Sequence, residues 1–121
     1  MTTFLDSTQH GRSAAVVVGE LVFADASALD PDTYRRVPEA RSVADETRIC
    51  LERLELTLEQ AGCTLKDLVK VNSYLSDDAH RAEFWESYGE VLAPGPYPPR
   101  VTQVTELDGD TRVLLDVVAA R

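Results

Sequence analysis

Basic residues are scarce in this chain: 12 lysines and arginines stand against 21 aspartates and glutamates, for a net charge of −9. A surface of that sign repels phosphate backbones, and no basic stripe or RNA-binding signature interrupts it. Nucleic acid is therefore not expected as a partner, and the acidity serves mainly solubility. Cysteine is also scarce. Cys50 and Cys63 are the only two, they form no CxxC pair, and a reducing compartment suits both as plain thiols. His10 and His80 are isolated in sequence, whereas a metal site needs three or four convergent ligands. Neither a metal nor another cofactor is expected. No apolar run approaches the roughly 20 residues of a membrane helix. The start, Met1-Thr2-Thr3-Phe4-Leu5-Asp6, lacks a basic segment and an apolar signal core. The expectation is a cytoplasmic protein with no membrane partner.

What is present suffices for one domain spanning 1–121, with 44% hydrophobic residues to build a core. Ala14 to Val18 and Leu21 to Ala24 are β-rich runs around Gly19-Glu20 and read as a hairpin. Asp30-Pro31-Asp32 is turn chemistry. Ser42 is a plausible N-cap with Asp45 and Glu46 in the first turn. A helix is predicted from about Val43 to Ala61, stopping at Gly62. Thr47, Cys50, Leu51, Leu54, Leu58 and Ala61 make its apolar stripe. Leu68 to Leu75 is the third strand. Ser76-Asp77-Asp78 caps a second helix, roughly Ala79 to Leu92, with an aromatic-rich side of Phe84, Trp85 and Tyr88. Pro94-Gly95-Pro96 ends it. Val101 to Leu107 is a strand, Asp108-Gly109-Asp110 a turn, and Arg112 to Ala119 the last strand.

The predicted order is ββαβαββ, an α+β sandwich with two helices on one face of a mixed sheet. The last strand is apolar at successive positions from Val113 to Val118, broken only by Asp116, which suggests burial on both faces. The helices cover one face. So little chain remains that a second subunit is the natural cover for the other.

Tyr97-Pro98-Pro99-Arg100-Val101-Thr102 carries the strongest functional signal. Two prolines, each with φ fixed and no N–H to give, can rim a strand but not sit in its middle. Arg100 thus emerges at a rigid corner, where its planar fork can grip a carboxylate bidentately.

The element order and motifs resemble the Rid family of reactive-intermediate deaminases, also called the YjgF family, from about Gly11 to Arg121. The residues that carry the resemblance are Val18-Gly19-Glu20-Leu21-Val22-Phe23, Gln60-Ala61-Gly62-Cys63, Leu68 to Leu75, Tyr97-Pro98-Pro99-Arg100 and Asp116-Val117-Val118-Ala119. The resemblance implies a chorismate-mutase-like fold and a homotrimer with three clefts between subunits. It further implies that each cleft grips a small 2-imino acid through an arginine while water attacks the C=N carbon, releasing ammonia and a 2-keto acid. The arginine carries over to Arg100. The water-positioning glutamate of the last strand does not, because Leu114 falls there. Asp116, two residues on and so on the same face, is either a partial substitute or an intersubunit or structural pair. Asp25-Ala26 replaces a serine-glycine turn, adding a carboxylate that would repel an anionic ligand unless Arg100 or Arg12 compensates. Arg12 replaces a cleft tyrosine and is either a second carboxylate clamp or a solvated arm residue. Thr102 stands where many members have cysteine or threonine, as a ligand hydrogen-bonder or an ordinary strand threonine. Trp85 replaces a helix asparagine that often reaches the cleft, and reads as core or interface filler. The strand after Arg100 is one residue shorter than the family pattern.

The expectation is a divergent member that binds a small carboxylate-bearing metabolite between subunits and hydrolyses or converts an imine or enamine. The alternatives are a non-catalytic ligand-binding trimer and a specialised-pathway enzyme performing cyclisation or tautomerisation. Arg100, Asp116 and Thr102 are the candidate catalytic residues. Arg100, Arg12, Asp25, Ala26, Trp85 and Leu114 are the candidate binding residues.

Overall fold

The computed structural model describes residues 1–7 and 11–121, so His10 lies outside the described residues. Its six-stranded sheet comprises β1 (Thr2–Leu5), β2 (Ala15–Val18), β3 (Leu21–Ser27), β6 (Leu68–Leu75), β7 (Arg100–Val104) and β8 (Val113–Ala120), in the order β1-β2-β3-β8-β6-β7. The β6–β7 pair is parallel and the others are antiparallel. β4 (Leu29–Asp30) and β5 (Arg35–Arg36) form a separate small ribbon. Helices α1 (Val43–Gln60) and α2 (Arg81–Leu92) contact each other, and α1 also packs on β3 and β8. The expected α+β arrangement is present, with β1 and the ribbon as additions.

Local chemistry accounts for the element ends. A two-residue connection joins β2 to β3, and Gly19 takes the positive φ, +60°, that such a hairpin turn requires. Ser42 caps α1 by accepting from the Asp45 N–H at 3.0 Å. At the other end Gly62 is left-handed, and the N–H groups of Gly62 and Cys63 return to the carbonyls of Glu59 and Leu58. Asp77 caps a 3₁₀ turn, Asp78–His80, so α2 begins at Arg81 rather than near Ala79. β7 ends at Val104, short of the expected Leu107, because the chain then turns away into the loop 105–112.

The core lies between helices and sheet. Cys50, Leu51, Leu54 and Leu58 of α1 and Phe84 of α2 meet Val22, Val71, Leu75, Val113, Leu115 and Val117. Burial pushes the Cys50 thiol up to about 12, with the nearby Glu46 charge adding to it, so this cysteine is an inert core residue. Glu46 is itself fully buried. Its carboxylate accepts from Arg112 Nε and the Arg112 backbone N–H, both at 2.7 Å, and from the Val113 N–H at 3.1 Å. A buried charge is tolerable only when so satisfied, and the cluster ties α1 to the start of β8.

Candidate functional site

Strand register sorts the candidate residues onto two faces. Along β8, Val113, Leu115, Val117 and Ala119 are buried toward the helices, while Leu114 and Asp116 point to the open side. Asp25 lies directly opposite Asp116, and Ser27 opposite Leu114. Asn72 and Tyr74 of β6 flank the same two β8 residues from the other side. Asp25, Ser27, Tyr74, Leu114 and Asp116, with Arg12 and the loop residues Glu106, Asp108 and Thr111, line a concavity of about 550 Å³ on the open face.

Two carboxylates facing each other across adjacent strands repel. The Arg12 guanidinium answers Asp25 with an ion pair. Asp116 is left with desolvation and then the Asp25 charge, which together raise its carboxyl above the ordinary range, while a hydrogen bond from the Asn72 side chain opposes them. A carboxyl so placed holds its proton to higher pH and is suited to proton transfer.

The loop that walls this concavity is clasped by the small ribbon. Asp110 accepts from the Arg36 N–H at 2.7 Å and from Arg36 Nε at 3.2 Å. The backbone donor first, then the guanidinium, holds the Asp110 carboxyl below its usual value. A hydrogen bond to Asp108 raises the Tyr34 hydroxyl. A Cβ at Gly109 would meet the Tyr34 carbonyl oxygen at 2.4 Å, and the φ there is +58°, so only glycine fits.

Arg100 lies elsewhere. It pairs in register with Val71, a helix-facing residue of β6, and its guanidinium carbon sits 5.0 Å from the Tyr88 ring centroid and 5.4 Å from that of Trp85. Among the described residues no carboxylate is within ion-pair distance of it. Thr102 shares the face. Its hydroxyl accepts from Trp85 Nε1 at 3.1 Å and meets Ser73 Oγ at 2.9 Å. Trp85 is 43% exposed and so is not core filler within this chain. Tyr88 is buried, burial raises its hydroxyl against the opposing Arg100 charge, and that hydroxyl has no hydrogen-bond partner among the described residues.

Within one chain the candidates therefore form two groups. Asp25, Asp116, Leu114 and Arg12 share the open-face concavity, whereas Ala26, expected as a binding residue, pairs with the helix-facing Leu115 and packs against the core on the opposite face, because strand neighbours alternate. Arg100, Thr102 and Trp85 gather against α2. Asn72 and Tyr74 are not candidates from the sequence, and Tyr88 is there only as part of the aromatic side of the second helix. Alternation along Leu68 to Leu75 gives which residues share a face, but only the β6–β8 register sets Asn72 beside Asp116. Among the described residues no group of three or more His, Cys, Asp and Glu is arranged to hold a metal, and no helix is long and apolar enough to cross a membrane.

Residues 7–121 match the family described as Endoribonuclease L-PSP. A RutC family protein of Pyrococcus abyssi is 32% identical over 109 residues, covering 88% of this chain and 84% of its own length. The chain belongs to this family, also called YjgF or Rid. The Rid fold extends over all of it. The crystal structure of a Thermotoga maritima protein matches with 25% identity and a TM-score of 0.87, covering 100% of this chain and 98% of that one. Escherichia coli TdcF, crystallised with bound serine, matches with 23% identity and a TM-score of 0.82 over 97% of this chain and 93% of that one.

Proposed function

We propose that this Rid chain binds a small carboxylate-bearing metabolite at Arg100, in a cleft between subunits of a homotrimer, and hydrolyses an imine or enamine there. The observation that carries the reading is Arg100 itself. Its guanidinium is braced on two rings and has no ion-pair partner among the described residues. Its planar fork is therefore open to a carboxylate, and pre-stacking lowers the ordering cost of binding one. That a relative of this fold, TdcF, was crystallised with serine is consistent with an amino- or imino-acid ligand.

Strand parity supports the intersubunit location. Arg100 faces the helix side of β7, whereas Asp116 faces the open side of β8, with β6 between them. One chain does not bring both to one small ligand, but the open face of one copy set against the β7 edge of another would. Phe4, Val18, Leu21 and Phe23 leave that open face apolar and exposed, which favours a covering subunit. In the reaction, Arg100 fixes the carboxylate and leaves the C=N carbon open. Water adds to that carbon, the C–N bond breaks, ammonia departs and a 2-keto acid remains. Asp116 is the group placed to take and return the proton. Orientation supplies much of such a rate. The unpaired, buried thiols of Cys50 and Cys63 suit a reducing, cytoplasmic setting.

The second reading, a binding trimer without catalysis, draws on the missing acid at Leu114 and on the Thr102 hydroxyl, which is already engaged within the chain. One experiment separates the two. Pyruvate affinity, measured by calorimetry, should fall by roughly one to two orders of magnitude in Arg100→Ala and recover only partly in Arg100→Lys. Alongside it, a coupled assay on 2-aminoacrylate should show slow turnover in the wild type that Asp116→Asn reduces further. Unchanged pyruvate affinity in Arg100→Ala would remove the proposal, and binding without any turnover would leave the second reading.

A further inference from the structure

The indole of Trp85 is both exposed and immobilised, a combination that an apolar side chain adopts at a cost. Its position is set by a one-way chain of hydrogen bonds: Trp85 Nε1 donates to Thr102 Oγ1 at 3.1 Å, Thr102 Oγ1 lies 2.9 Å from Ser73 Oγ, and Ser73 Oγ donates to the Val101 carbonyl at 2.6 Å. Such chains strengthen their members and fix every rotor in them. Arg81 also contacts the ring, with its guanidinium carbon 6.0 Å from the indole centroid. The charge of Arg81 is already answered by an ion pair with Asp78, so Arg81 does not serve as a second open anion anchor.

Supporting Arg100 does not by itself explain the exposed indole. Tyr88 lies closer to the guanidinium, at 5.0 Å against 5.4 Å for Trp85, and is almost wholly buried at 2% exposure. One buried ring suffices as a floor. Trp85 keeps 43% of its surface exposed beside the same guanidinium. A carboxylate taken bidentately is coplanar with the guanidinium, and a planar substituent on it can reach the neighbouring indole, whose centroid is 5.4 Å from the guanidinium carbon.

We propose that Trp85 is the specificity-determining wall of the Arg100 site, selecting carboxylates that carry an aromatic or other planar apolar group over small aliphatic or hydroxylated ones. The inference rests on Arg100 being the carboxylate anchor. Stacking and edge contacts between aromatic rings exceed their area burial, whereas a short aliphatic or hydroxylated substituent leaves the indole wet.

The test uses two unreactive carboxylates, 3-phenylpropionate and propionate, titrated by calorimetry into the intact protein. Trp85 is the single tryptophan, so its emission reports contact directly. The expected result is that 3-phenylpropionate binds at least about tenfold more tightly than propionate and shifts the emission, which propionate moves little. In Trp85→Leu the affinity ratio should collapse toward unity, while Trp85→Phe keeps most of it. Thr102→Val, which removes the acceptor for the indole N–H, should lower the ratio partway and reduce the anisotropy of the emission. A ratio near one in the wild type, or a ratio that survives Trp85→Leu, with both ligands still lost in Arg100→Ala, would overturn the wall and leave the anchor standing. Absence of binding by either ligand, or binding indifferent to Arg100→Ala, would overturn the anchor and the wall together.

Discussion

On the helix side of β8, Val113, Leu115, Val117 and Ala119 are buried; on the other side of the same strand Leu114, Val118 and Ala120 stay half-covered and Asp116 is exposed. The two faces differ in what they tolerate. The helix face is buried, and the buried carboxylate of Glu46 is fully satisfied there by Arg112 and backbone donors. The open face keeps exposed apolar side chains and sets Asp25 directly against Asp116. A face selected for stability alone would not oppose two like charges. The helix face therefore holds the fold together, and the open face carries the less favourable arrangement that the proposed site would use.

The largest effect should come from breaking the buried face. Leu54→Ala removes a fully buried side chain of α1 and should cost about 2–5 kcal/mol, seen as an early midpoint in urea unfolding. The matching change on the open face, Phe23→Asp, alters a ring that is 41% exposed. Its cost to the isolated chain should be small, within about 0.5–1 kcal/mol, but it should abolish the proposed trimer, as read by sedimentation. Equal unfolding penalties for the two variants would erase the distinction between the faces.

A smaller effect sharpens the comparison from within the open face. The Asp116 carboxyl is raised in the fold, by desolvation and then by Asp25, so the unfolded chain releases its proton first as pH rises. The folded state binds more protons from the ordinary aspartate range up to the raised value. Stability contributed here is present in acid and lost on rising through that window. Asp116→Asn should therefore raise the melting temperature at neutral pH by about one or two degrees, since Asp116 is partly exposed, and leave it unchanged in acid. A melting temperature lowered at neutral pH would contradict the electrostatic account. RNA cleavage should be absent from the purified protein at its net charge of −9. Activity that co-elutes with the protein and vanishes in Arg100→Ala would refute that expectation.

The helix face was legible in the sequence because period is local. Thr47, Cys50, Leu51, Leu54, Leu58 and Ala61 announce one stripe, and all six are buried. The hairpin at Gly19-Glu20 and the caps at Ser42 and Gly62 depend on neighbours a few residues away. β1 escaped notice because four residues at a sheet edge, three of them exposed, carry no apolar alternation. The two-residue strands β4 and β5 are too short for any period to show. Arg100 was readable as a candidate from its two prolines, but its face was not. That depends on the parallel register pairing Arg100 with Val71, a contact between segments far apart in sequence. The opposition of Asp25 and Asp116 depends in the same way on the β3–β8 register. The stack of Arg100 on Trp85 and Tyr88 needed the packing of α2 on the sheet edge.

The most direct test of the central claim is a crystal structure of the protein grown with pyruvate. The account predicts the pyruvate carboxylate in the fork of Arg100 from one subunit, with its carbonyl carbon turned toward Asp116 from the neighbouring subunit. Pyruvate bound away from Arg100, or bound wholly within one chain, would contradict it.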